Sequence, residues 1–254
     1  MTTATACVRI ALMSSALLLM LCTLAAARRA GLNAEWSRKL AHVGLGLVTL
    51  SWPLAFDATW PALVLAALTV IVLVSLRAVP AVKQVAGSAV CGVTRHTSGD
   101  LWFPVAAAAL FAVTGGDLLL YVVPMATLTF ADAAAALVGR APGRRRYRVG
   151  DARKSVEGSL SFFAFALVIA LVSVTVASGV PAATLAALAY ATVMTLVEAV
   201  STGGSDNLTV PLVGSGLMTV LASGDVTVVV AMCIALSSVL VIRNAAPRRG
   251  TSVA

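Results

Sequence analysis

Nine apolar stretches, at 8–27, 40–56, 60–76, 101–113, 118–138, 160–177, 182–200, 208–222 and 226–242, leave this chain almost no polar surface for a water-soluble fold. A helix of about 20 apolar residues crosses a bilayer core of roughly 30 Å, and in lipid it satisfies its backbone amides internally. The pattern predicts an all-α, polytopic integral membrane bundle. Runs 101–113 and 208–222 are short and begin near Pro104 and Pro211. They are expected to tilt into the protein, re-enter or break there, which gives seven to nine transmembrane helices.

Of 254 residues, 60% are hydrophobic and 11% charged, and 18 Lys and Arg against 10 Asp and Glu give a formal charge of +8. On a soluble chain that surplus would suggest nucleic acid. Here its position explains it, and no nucleic-acid partner is expected. With nine spans and the amino terminus outside, every Lys and Arg except Arg9 falls at 28–39, 77–100, 139–158, 201–207 or from 243 onward, all on one side. The opposite loops, 57–59, 114–117, 178–181 and 223–225, hold only acidic and neutral residues. The positive-inside rule makes the basic side, with the carboxyl terminus, cytoplasmic. Run 8–27 ends in Ala25-Ala26-Ala27 like a signal peptide, but its basic pair Arg28-Arg29 follows the apolar part, so a retained first helix is expected. Cys7, Cys22, Cys91 and Cys233 are too scattered for a zinc site or a disulfide framework. No soluble second domain fits, and 1–254 is expected to be one membrane domain. A bacterial inner membrane suits the Ala- and Arg-rich composition.

Polar residues inside such a chain are the informative ones. Asp132 lies in the run 118–138, where a buried charge costs about 2.5–3.5 kcal/mol on insertion scales, so it is a functional candidate by default. Glu198 ends another apolar run. Glu35, Arg38, Lys39 and His42 are spaced i, i+3, i+4, i+7, which aligns them on one helix face as a grip for phosphate oxygens. Arg38 and Lys39 alone would also suit a juxtamembrane anchor, but His42 lies a turn deeper. Thr94-Arg95-His96-Thr97 precedes Asp100-Leu101-Trp102-Phe103-Pro104, whose aromatics read as an interfacial belt and whose acid reads as a cap. After Asp132 comes Gly139-Arg140-Ala141-Pro142-Gly143 and then Arg144, Arg145, Arg146 and Arg148, a glycine-rich basic turn. Magnesium favours carboxylates combined with substrate phosphates, and glycines let backbone amides approach those phosphates. Lys154 and Ser155 at a helix start add an anion pocket, although Lys154 and Glu157 can also pair locally. The turn from Glu198 to Asn207, with Gly203 and Gly204, can bring Glu198 and Asp206 to one ion or hydroxyl.

Soluble nucleotide-binding loops are absent, and two histidines without zinc-ligand spacing argue against a zinc hydrolase. Phosphate chemistry here falls to carboxylates, magnesium and basic residues at the membrane surface.

Five blocks occur in order between 35 and 211: Arg38-Lys39-x-x-His42, Trp102-Phe103-Pro104, Asp132 through Gly139-Arg140, Lys154-Ser155-x-Glu157-Gly158-Ser159, and Glu198-x-x-Ser201-x-x-Gly204-x-Asp206-Asn207-x-x-x-Pro211. Together they resemble the polyprenol kinase family, which includes phytol kinase, dolichol kinase and CTP-dependent diacylglycerol kinase and is distantly similar to phosphatidate cytidylyltransferases. The resemblance implies an integral membrane kinase moving the γ-phosphate of a nucleoside triphosphate, usually CTP, to a lipid alcohol, here an isoprenoid such as phytol. It places Arg38, Lys39, Asp132 and Gly139 in the nucleotide site, with Lys154 and Glu157 beside it; the Arg-rich turn after Gly143 departs from the family pattern. The resulting expectation has Asp132 and Asp206 holding Mg2+, and Arg38, Lys39, His42, Gly139, Arg140, Lys154 and Ser155 contacting nucleotide and phosphate. Glu198 or Glu157 takes the alcohol proton beside a catalytic Asp132. The alternatives are a cytidylyltransferase, in which the lipid attacks the α-phosphate, and a secondary transporter with midplane acids.

Overall fold

The computed structural model describes residues 1–79, 98–141, 144–150, 152–178 and 180–245. The expected Thr94–Thr97 segment, Cys91 and the Pro142-Gly143 turn lie outside the described residues. The described residues are helical apart from one hairpin and the connecting turns. Its elements are α1 (Thr3–Arg29), α2 (Ala34–Leu50), the single turn α3 (Trp52–Ala55), α4 (Thr59–Ala78), α5 (Gly99–Thr114), α6 (Leu118–Gly139), strands β1 (Arg146–Val149) and β2 (Ala152–Ser155), α7 (Val156–Ser178), α8 (Val180–Val200), α9 (Asp206–Ser223) and α10 (Val226–Ala245).

Among the described residues five helices are long and apolar enough to cross a membrane: Thr3–Arg29, Thr59–Ala78, Leu118–Gly139, Val156–Ala177 and Thr227–Ala245. Gly99–Thr114 and Thr184–Val200 are apolar but shorter. The expected run 40–56 is not one span. Helix α2 starts six residues earlier, capped by the Asn33 side chain, which accepts from Glu35 N. It stops at Leu50, ahead of Pro53, which has no amide to carry the ladder back to the Thr49 carbonyl and whose ring crowds that carbonyl. Neither Pro104 nor Pro211 breaks its helix. Each sits in the second turn of a continuous helix, α5 or α9, where the lost amide removes one bond close to the helix start.

Helix α6 is the axis of the bundle, with 61% of its apolar window buried against 6% for α10. It touches α2, α5, α7 and α9. Two π-turns, Leu118–Val122 and Thr127–Ala131, flank Pro124, which has no amide to give the regular ladder. The second of them delivers Asp132. Close crossings fix the neighbours: a Cβ on Gly46 of α2 would fall 2.2 Å from Thr129 Oγ1 of α6, and one on Gly158 of α7 would fall 2.9 Å from the Ala135 carbonyl.

Apolar packing divides into two clusters. The main core includes Trp52, Phe103, Phe111, Tyr121, Phe162 and Tyr190. A smaller satellite joins Leu21, Leu24 and Ala25 of α1 to Leu73 and Leu76 of α4. The site described below opens between them.

Candidate active site

Lys39 enters from α2 and is almost fully buried, so its charge needs a partner. Asp132, arriving from the π-turn of α6, supplies it: Lys39 Nζ donates to Asp132 Oδ2 at 2.6 Å and to the Asp132 carbonyl at 3.3 Å. His42, one turn deeper on α2, lies 3.0 Å from the Leu128 carbonyl and 3.4 Å from Asp132 Oδ2 through the same Nε2. A carbonyl only accepts, so Nε2 carries a proton. The imidazole meets Phe103 edge to face at 5.0 Å. At the outer end of the stripe, buried Glu35 takes a two-pronged contact from Arg38 and a second guanidinium from Arg140 at 2.9 Å. The stripe at 35, 38, 39 and 42 is thus one face, joined to the end of α6.

A second acid and base pair stands opposite. Lys154 on β2 donates to Glu198 Oε1 at 2.6 Å and also to the Glu198 carbonyl. The other carboxylate oxygen, Glu198 Oε2, is buried without a hydrogen-bond partner. After α8 the chain turns through Gly203 and Gly204, whose φ values of +68° and +90° suit glycine, and starts α9 at Asp206. Asp206 accepts from the Asn207 amide at 3.2 Å and meets no cation in an ion pair among the described residues. Asp132, Glu198 and Asp206 lie within electrostatic reach of one another.

These groups line one cavity of about 2010 Å³. Its wall carries nine Lys and Arg against five Asp and Glu, a surplus of four positive charges that suits a polyanion. The basic residues come from distant stretches: Arg38 and Lys39, Arg77, Arg140, Arg146, Arg148 and Arg153 with Lys154 on the hairpin, and Arg243 from α10. The opposite arm is apolar, walled by leucines of α1, α2 and α4. Among the described residues no group of three or more His, Cys, Asp or Glu converges at metal-holding distance. The carboxylates nonetheless fit magnesium, which is commonly held by one or two carboxylates plus substrate phosphates; Asp206, in no ion pair among the described residues, and nearby Asp132 are the pair that would hold it.

Over 191 residues, 73% of this chain and 78% of its counterpart, the sequence is 30% identical to a protein named phytol kinase from Synechocystis sp. (strain ATCC 27184 / PCC 6803 / Kazusa). The chain belongs to the polyprenol/phytol kinase family. No family model matches it, and no solved structure does.

In this family member, Arg38, Lys39, His42, Asp132, Gly139, Arg140, Lys154, Ser155, Glu198 and Asp206 all border the cavity. Glu157 does not. It accepts two bonds from the Arg145 amide, at 3.0 and 3.1 Å, and closes the base of the hairpin instead of pairing with Lys154. Gly139 and Ser155 also have structural work. Ser155 Oγ accepts from the Gly158 amide at 3.1 Å, and a Cβ on Gly139 would fall 2.7 Å from that oxygen. Phe103, expected in an interfacial belt, is buried against His42, whereas Trp102 is 42% exposed. Asp100 accepts from the Leu101 amide at 3.1 Å and pairs with Arg77 across α4 and α5.

The sequence reading missed the hairpin and Arg243. Tyr147 on β1 faces inward to Ser159 Oγ at 2.7 Å, and burial pushes its phenol up to about 12. The hairpin docks on the end of α10, where Arg148 N donates to Asn244 Oδ1 and Gly150 N to the Arg243 carbonyl. The Arg243 guanidinium in turn holds the Val200 carbonyl and Thr202 Oγ1, tying the last helix to the Glu198–Asp206 turn. A lone arginine closing an apolar run was its only signal, and that signal reads equally well as a topology determinant.

Proposed function

We propose that this protein is a membrane-bound lipid-alcohol kinase that moves the γ-phosphate of a nucleoside triphosphate, CTP in the leading case, to an isoprenoid alcohol such as phytol. One observation supports this above the others: a single cavity joins a strongly cationic, carboxylate-bearing pocket to an apolar arm. Neither a soluble phosphate ester nor a plain lipid needs both halves, whereas a reaction between a nucleotide and a lipid alcohol does. Membership of the family fits the same reading.

Phosphoryl transfer asks a protein mainly for positioning and charge neutralisation. Arg38, Arg140, Lys39 and Lys154 bind the phosphates, and Glu35 holds the two guanidiniums side by side for that purpose. Asp132 and Asp206 would hold magnesium, which when bound would neutralise charge on the phosphate oxygens. Glu198 accepts the alcohol proton through its unpartnered Oε2. Glu157, bonded to the hairpin outside the cavity, has no part in this. Half-buried His42, packed on buried Phe103, keeps water from the acceptor side.

The test is purified protein in liposomes, offered farnesol, phytol, a long polyprenol or diacylglycerol with each common nucleoside triphosphate in turn. Alcohol-dependent appearance of a lipid monophosphate with release of nucleoside diphosphate is expected, with CTP the best donor. With phosphatidate offered as a further acceptor, release of pyrophosphate and formation of a CDP-lipid would replace the kinase by a cytidylyltransferase. Solute uptake without nucleotide consumption would replace both by a transporter.

A further inference from the structure

The apolar arm of the cavity has no role in holding a nucleotide, and it is built from an unusual place in the fold. The last turns of α1 and α4 form the satellite cluster, whereas Ile10 of α1 and Ala62, Leu65 and Ala66 of α4 belong to the main core. The arm runs between that pair and α2, past Leu17 and Leu18 of α1 and Leu68 and Val72 of α4. Leu17 is buried at 9% exposure, while Leu18 and Leu68 remain 49% and 40% exposed. The arm is therefore walled inside and open on its flank toward the lipid. Its far end is Ser14, whose hydroxyl is buried with no hydrogen-bond partner. Its near end is His42, packed on Phe103 and 3.4 Å from Asp132.

We infer that this arm is the seat of the substrate's hydrocarbon tail, a methyl-branched isoprenoid chain lying between α2 and the α1–α4 pair with its hydroxyl at the His42 neck. The inference rests on the kinase reading above and adds to it where the tail goes and what limits its length. Continuity carries it: the same cavity that brings together the acids and bases continues without a break into the arm. A chain lying there exchanges lipid contact for contact with leucine side chains, so it enters from the bilayer with little penalty, and affinity comes from fit. From the level of Leu21 to that of Ser14 the arm follows seven residues of α1, about 10 Å at 1.5 Å per residue. Short tails end within it. Longer ones must reach Ser14 and leave through the open flank.

The consequence is a graded length filter. Val72→Phe narrows the arm near its middle, and Ser14→Phe plugs only the far end while removing an unpaired hydroxyl. The experiment measures kcat/KM for geraniol, farnesol and phytol in liposomes for the wild type, both variants and Ser14→Ala as a control that plugs nothing. Ser14→Phe is expected to lower phytol relative to geraniol by about tenfold, the scale set by a few methylenes of lost pocket fit. Val72→Phe is expected to penalise farnesol as well, and Ser14→Ala to leave the ratios as they are. Partial unfolding lowers all three substrates together and so leaves the ratios unchanged, which sets it apart from plugging. Active variants whose ratios equal those of the wild type overturn the tail assignment and leave the arm to a bilayer lipid. A wild type that phosphorylates none of the alcohols overturns the kinase reading, and the tail assignment with it.

Discussion

At the scale of single residues, the site rests on two acids each held by a lysine. The Lys39 and Asp132 side chains are 4% and 12% exposed, and removing one charge from such a pair leaves the other buried and uncompensated. Asp132→Asn is expected to abolish turnover and to lower stability by about 3 kcal/mol, read by thermal unfolding in detergent. Adding Lys39→Met to it should restore much of the stability and none of the activity, which separates the structural share of the pair from the chemical one. The two glutamates named for the proton are expected to diverge. Glu198→Gln should reduce turnover by about 10²–10⁴-fold, whereas Glu157→Gln should keep it near wild type and only loosen the hairpin. Asp132 and the stripe at 35, 38, 39 and 42 were legible in the sequence because charge in an apolar run is expensive and helical spacing is regular. The partnership of Lys154 with Glu198 was not, because 44 residues separate them and the local alternative, Glu157, stands one turn away.

At the scale of elements, helix placement followed from hydropathy, and the departures have local causes. Helix α2 reaches back over Glu35, Arg38 and Lys39 because pairing with Arg140 and Asp132 compensates the buried charges that hydropathy counts against a helix. The hairpin escaped notice because its strands are four residues each and half Lys and Arg, a composition that gives no period-two apolar signal. The crossing of α6 and α7 is the joint that carries the site, since Asp132 lies on one and Lys154 leads into the other. Gly158→Ala should force the backbones apart, because its Cβ would meet the Ala135 carbonyl at 2.9 Å and Gly139 Cα at 3.3 Å. The expected loss is about 1–3 kcal/mol of stability, with a fall in kcat larger than any from Gly203→Asn at the exposed turn, where the new Cβ meets nothing within 4 Å and Asn tolerates the left-handed backbone. Paired melting curves and kinetics of the two variants check it.

At the scale of the whole molecule, the distribution of charge gives the chain two unlike ends. The cationic cavity and the hairpin occupy one of them, and the Asp57, Asp117 and Asp225 turns belong to the loops of the other. A cysteine placed at Arg144 in a background lacking the four native cysteines should react with an impermeant maleimide only in inside-out vesicles, and one at Asp225 only in right-side-out vesicles. The reverse pattern would turn the protein over in the membrane. This asymmetry was legible before any fold, because basic residues in short loops record orientation; the cavity was not, because it needs residues from α1 to α10 brought together by packing. The flank left open beside Leu18 and Leu68 has a kinetic consequence. An acceptor admitted through it never crosses the aqueous phase, so its governing concentration is two-dimensional. Velocity should track the alcohol's mole fraction among the surrounding phospholipids, and diluting it with inert lipid should slow the enzyme even while the total amount per millilitre stays constant.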